Sequence, residues 1–138
     1  DVYKRQLHVN LPLVDLGSDF SAYEYGSQVF AQVPDSSIII SASDAHTFTL
    51  WYFARVVTER DQVAVIDRDL LSYDWYANGL RQAYPWLDLP PASIPLSVNN
   101  LIESNVHHHA IFLTDMDSEL MSRYTFQQQG TLYQLQAY

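Results

Sequence analysis

The sequence contains no cysteine, which excludes a disulfide framework and any thiolate nucleophile or metal ligand. It has four glycines, none in a G-x-G-x-x-G arrangement, so a dinucleotide-binding turn is excluded and NAD is not expected. Basic residues are scarce: seven Lys and Arg stand against sixteen Asp and Glu, a net charge of −9. Nucleic acid demands a cationic footprint, as does simple adhesion to an anionic lipid leaflet, so neither is expected as a partner. No apolar run approaches the ~20 residues that cross a bilayer. There is no G-x-S-x-G or comparable nucleophile turn, and no hydrolase triad is proposed.

What remains is a chain that should fold. Hydrophobic residues at 48% and aromatics at 14% supply enough buried surface to offset the ordering entropy, and 138 residues suit one core. The expected division is a tag-like segment 1–6, an extended lead-in 7–17 and a single α/β domain 18–138. Asp1-Val2-Tyr3-Lys4-Arg5-Gln6 is what GAT GTG TAT AAG AGA CAG encodes, a string that matches a transposase adapter end. Residues 1–6 are therefore expected to be a sequencing-adapter artefact and are set aside from fold reasoning. Leu7 to Leu16 is apolar and interrupted by Pro12, which reads as extended chain leading out of a membrane region.

The organising stretch is Ser37 to Tyr52. Ile38, Ile39 and Ile40 form a continuous apolar run that suits a strand buried on both faces. Asp44 is positioned to cap the next helix, and Phe48, Trp51, Tyr52 and Val56 recur at helical spacing, which predicts a sheet-facing stripe. A preceding helix from Ser18-Asp19 carries Ala22, Tyr25, Val29, Phe30 and Val33 on one side, and Gly26 within it implies close packing. Strands are expected at Val63–Asp67 and His109–Thr114, and helices from Ser72 or Asp74 to Tyr84 and from Ser97 to Asn105. Leu87 to Pro95 reads as a proline-rich loop, Asp117 to Ser122 as a helical turn, and residues around Gly130 as a terminal hairpin. This alternation predicts an α/β fold, a Rossmann-like three-layer sandwich with a mainly parallel sheet and a C-terminal antiparallel hairpin.

The same residues resemble a known family. Asp44-x-His46-Thr47-Phe48-x-Leu50-Trp51-Tyr52, then Glu59-Arg60, Val63 to Asp67, Leu70-Leu71 and Asp74-Trp75-Tyr76 are similar to the soluble tail of a bacterial polytopic membrane protein family. That family, of unknown function, is related to protein O-mannosyltransferases in the GT-C glycosyltransferase superfamily. Its pattern is roughly G-D-N-D-T-F-P-L-W-Y, then E-G-x-R-P-D-V, L-L and W-Y. The chain departs from it with Arg60-Asp61-Gln62-Val63 and with a first turn, Ser43-Asp44-Ala45-His46, that has no glycine. The resemblance spans about residues 13 to 138. It implies a soluble domain on the extracytoplasmic side of a bacterial cell membrane, attached to a membrane-embedded part of the same polypeptide. The catalytic acid of such transferases lies in the membrane part. The fragment is therefore expected to be inactive alone and to recognise a glycan or lipid-linked sugar acceptor, or to pack on the membrane part.

Ligands of open α/β sheets gather beyond the carboxyl ends of the parallel strands. That rule selects Asp44, His46 and Thr47 after the first strand, Asp67 and Asp69 after the second, and Asp115 after the third. Tyr76 joins them as an exposed aromatic, paired with Trp86, whereas Trp51 and Trp75 are expected in the core. Asp67-Arg68-Asp69 also resembles the D-x-D pair of metal-dependent nucleotide-sugar transferases, which offers an alternative reading with Mg or Mn. No cofactor is expected otherwise. Of His107, His108 and His109, at most the first and third could share a metal on a strand. A purely structural interaction module is the remaining alternative.

Overall fold

The computed structural model describes residues 2–14 and 17–136. Its elements are α1 (Val2–Val14), α2 (Ser21–Gln32), β1 (Ile38–Ser41), α3 (Asp44–Tyr52) continuing into a π-helical turn (Phe53–Val57), and β2 (Ala64–Asp67). These are followed by α4 (Asp74–Ala83), α5 (Val98–Asn105), β3 (Ile111–Leu113), α6 (Ser118–Arg123), β4 (Phe126–Gln129) and β5 (Leu132–Leu135). Val2–Val14 is helical where extended chain was expected from Leu7. One proline removes one helix hydrogen bond, and good helix formers such as Lys4, Arg5 and Gln6 fill the first turns before it. Asp15 and Leu16 lie outside the described residues.

The five strands form one sheet in the order β2-β1-β3-β5-β4. β1 pairs in parallel with β2 (Ile38 to Ala64, Ser41 to Asp67) and with β3 (Ile38 to Ile111). β5 then pairs antiparallel with both β3 and β4. The expectation of a mainly parallel, Rossmann-like sandwich is thereby corrected: the sheet is mixed. A hairpin turned at Gly130 (φ +57°) docks through β5 directly on β3, so half of the strand junctions are antiparallel. The parallel strands were read correctly one by one. What the sequence did not reveal was how little parallel sheet three short strands make.

Helices cover both faces, as alternation along the strands requires. Ile38, Ile40, Ala64, Ile66, Ile111 and Leu113 pack with Tyr76, Ala77 and Leu80 of α4, Leu101 and Ile102 of α5 and Leu120 of α6. Ile39, Val65, Phe112 and Leu132 face the other way, onto Val29, Phe30 and Val33 near α2 and onto Leu50, Phe53 and Ala54. Gly26 lies where the Phe53 ring meets α2, and a Cβ there would overlap that ring.

Two predicted faces are rotated. On α3 the buried positions are Thr47 and Leu50, followed by Phe53 and Ala54 in the π turn, whereas Phe48, Tyr52 and Val56 are exposed. The helix is apolar on both sides, so periodicity alone could not choose between them. On α4 the stripe is Tyr76, Ala77, Leu80 and then Tyr84; Tyr76 is 8% exposed and Trp75 65%, the reverse of the expectation. Among the described residues no helix is long and apolar enough to cross a membrane.

Candidate functional site

The three parallel strands end on one side of the sheet. The chain leaves β1 toward α3 on one face and leaves β3 toward α6 on the other, so the topological switch point, where a crevice is expected, lies between β1 and β3. Ser43, not Asp44, caps α3: its hydroxyl accepts from the His46 N–H at 3.4 Å, and Asp44 is exposed in the first turn. Backbone geometry favours a serine here because its short side chain reaches its own helix start. Thr47 is buried, and its hydroxyl donates to Ser41 Oγ at 2.8 Å, tying α3 to the end of β1.

His46 bridges the crevice. Its Nδ1 lies 3.2 Å from Asp115 Oδ2, which also accepts the Thr114 hydroxyl at 2.7 Å. With Nδ1–H directed at the carboxylate, Nε2 is left as an acceptor. The Tyr25 ring stacks on the imidazole at 4.6 Å. The Tyr25 hydroxyl is buried without a hydrogen-bond partner; burial first, and then the Asp115 charge, pushes it up to about 12.

The other acids have partners of their own. The Asp67 carboxylate accepts the backbone N–H groups of Asp69 and Leu70 at 2.9 and 3.3 Å, a turn-forming role. Asp69 is exposed and lies 3.7 Å from Arg68 Nε, while the Arg68 guanidinium also holds Asp117. The Leu120 N–H at the start of α6, and then Arg68, keep the Asp117 carboxyl below the usual carboxylate range. A cation at Asp67-Arg68-Asp69 would therefore meet an arginine and a carboxylate already occupied by backbone donors. Among the described residues, no three His, Asp or Glu side chains form a group that could hold a metal. His107 to His109 sit in a turn before β3 rather than on the strand; the His109 ring packs at 4.8 Å from Trp86, its Nδ1 2.9 Å from Ser36 O.

Tyr76 is not a surface aromatic. Its hydroxyl accepts the Asp67 backbone N–H at 2.9 Å, and burial pushes it up to about 12. On the opposite helical layer the sequence reading missed a groove. A cleft of about 270 Å³ is lined by Ser21, Ala22, Tyr25, Ala45, His46 and Thr49. A second, of about 450 Å³, lies among Asp19, Phe20, Tyr23, Phe48, Tyr52 and Phe53 and shares Ala22 and Thr49 with the first. Together they make one groove between α2 and α3, polar at the His46 end and aromatic at the other. Phe20, Tyr23, Phe48 and Tyr52 are each more than half exposed. The aromatic richness was legible; the phase that turns these rings outward was not.

A family model described as TMEM260-associated domain 2 matches residues 22–135. No curated protein and no solved structure matches the chain.

Proposed function

We propose a recognition role for this chain, which belongs to the TMEM260-associated domain 2 family over residues 22–135. Membership fits the kinship with O-mannosyltransferase-like membrane proteins read from Asp44 to Tyr76. In this reading the domain stands on the extracytoplasmic side of a bacterial membrane protein of GT-C type. It holds a glycan or glycosylated acceptor while the membrane-embedded part performs transfer, and it uses no cofactor.

The observation that carries the reading is the α2–α3 groove. Flat rings exposed along one end offer apolar faces to the C–H side of a sugar ring. At the other end His46, held by Asp115 and backed by the Tyr25 ring, presents an acceptor to hydroxyl groups. Ser41 and Ser43 are both engaged at the start of α3, so the histidine–carboxylate pair serves as hydrogen-bonding equipment rather than part of a triad.

Calorimetric titration with soluble manno-oligosaccharides tests this. Binding should weaken by at least about tenfold, ~1.4 kcal/mol, in Tyr52→Ala and in His46→Ala. Equal binding by both variants would remove the groove from the account. Turnover by the isolated domain, given a lipid-linked sugar and an acceptor peptide, would contradict a role confined to recognition.

A further inference from the structure

The two edges of the sheet are treated differently. At the β2 edge, the Ala64 and Arg68 N–H groups bond to β1, so Val65 and Asp67 direct their backbone groups outward. One outward group of each is met by a side chain: Trp51 Nε1 donates to Val65 O at 2.9 Å, and the Tyr76 hydroxyl accepts from Asp67 N. That edge is partly covered. At the other edge, the Gln136 N–H donates to Thr125 O, which makes 125 and 136 a hydrogen-bonded pair. Alternation along the hairpin register then turns the backbone groups of Gln127 toward β5 and those of Phe126 and Gln128 away from it.

Among the described residues no strand pairs with this edge, which carries Gln127, Gln128 and Gln129, all exposed, and has neither proline nor lysine to discourage pairing. From Tyr124 to Tyr138 the sequence has no Asp, Glu, Lys, Arg or His. In a chain of net charge −9, two copies meeting here would set no acid against another acid. A glutamine amide both donates and accepts, so it complements itself.

We propose that β4 is a self-association edge, on which a second copy of this chain adds its own β4 antiparallel about a two-fold axis at Gln127. Phe126 of each copy then pairs with Gln128 of the other through the outward backbone groups. Gln127 faces its own symmetry mate in a non-hydrogen-bonded pair, and the two sheets become one. A four-residue edge buries less than a standard interface, so the dimer is weak and concentration-dependent.

Sedimentation equilibrium from about 10 µM to about 1 mM covers the range for a contact of that size. The mass should climb from one chain toward two. Gln128→Pro removes an outward N–H without touching the β5 ladder and should weaken association at least about tenfold at an unchanged monomer melting point. Gln127→Lys, which sets two like charges face to face, should do the same. The chain has no thiol of its own, so Gln127→Cys should cross-link to its mate on mild oxidation, because a non-hydrogen-bonded pair sits at about 4.5 Å between Cα atoms. Ser104→Cys, exposed on α5, is the control. A single-chain mass throughout, association untouched by both edge variants, or Gln127→Cys cross-linking no faster than the control would each overturn the proposal.

Discussion

Replacing Arg60 by alanine should destabilise the domain far more than its place in a surface turn suggests. Arg60 follows Glu59, which adopts a left-handed turn (φ 50°), and its guanidinium reaches back across the end of α2. Nη1 donates to Phe30 O at 2.9 Å and Nη2 to Val33 O at 2.8 Å. Nε and Nη2 share Asp35 Oδ1 at 2.9 and 2.6 Å. The helix-end carbonyls have no intrahelical donor and carry the negative end of the dipole, so a forked cation suits them. Hydrogen bonds to a charged group contribute about 1.5–3 kcal/mol, whereas an ion pair with an exposed carboxylate such as Asp35 contributes at most about 1. Discounting these values for the partial solvent exposure of the guanidinium, Arg60→Ala should cost about 2–4 kcal/mol, dominated by the two carbonyls. At about 3–5 °C per kcal/mol for a chain of this size, the melting midpoint falls by roughly 6–20 °C. Arg60→Lys should recover less than half of this, since one ammonium cannot span both carbonyls and the carboxylate. Urea melts of wild type, Arg60→Ala, Arg60→Lys and Asp35→Ala, repeated in high salt, separate the terms. If Asp35→Ala costs as much as Arg60→Ala, or if salt abolishes the difference, the helix-end account is wrong and a surface ion pair does the work.

Alkaline titration should report on two tyrosine hydroxyls held out of solvent. The Tyr25 and Tyr76 hydroxyls sit at about 12 when folded and near 10 when unfolded, so stability is complete below pH 10 and declines as pH rises from 10 to 12. Near-UV melts across that window should show the decline, and Tyr25→Phe should shallow it at little cost at neutral pH, because its hydroxyl has no partner to lose. Tyr76→Phe strands the Asp67 N–H and should cost about 1–3 kcal/mol at pH 7 by chemical denaturation. Gly26→Ala, although it favours helix, should destabilise by about 1–3 kcal/mol because the new methyl meets the Phe53 ring; a gain in stability would mean that this contact is not close-packed.

Sequence pattern located the β-strands well because Ile38 to Ile40 and Ala64 to Ile66 are continuous apolar runs, and few other structures accommodate such runs at that length. It failed on α3 for a physical reason: Phe48, Trp51 and Tyr52 are as hydrophobic as Leu50 and Phe53, so hydropathy gives no preferred face. Winding into a π turn at Phe53 then shifts the phase again. The carboxylates after each strand were visible, but their partners were not. The strand-end rule put His46 and Asp115 on one rim, but it did not say that they pair across 69 positions or that Arg68 engages Asp69 and Asp117. Tyr25 was counted into an apolar stripe, and only the fold shows its ring on His46 and its hydroxyl unpartnered.

The most direct test of the recognition reading is an amide NMR titration of the ¹⁵N-labelled domain with a soluble manno-oligosaccharide. Saturable shifts are expected along the groove, at Ala22, Tyr25, His46, Thr49 and Tyr52, with the Gln127 to Gln129 edge and the Trp75 side of α4 unmoved. No saturable shift at any concentration, or shifts confined to Trp75, Tyr84 and their neighbours, would contradict it.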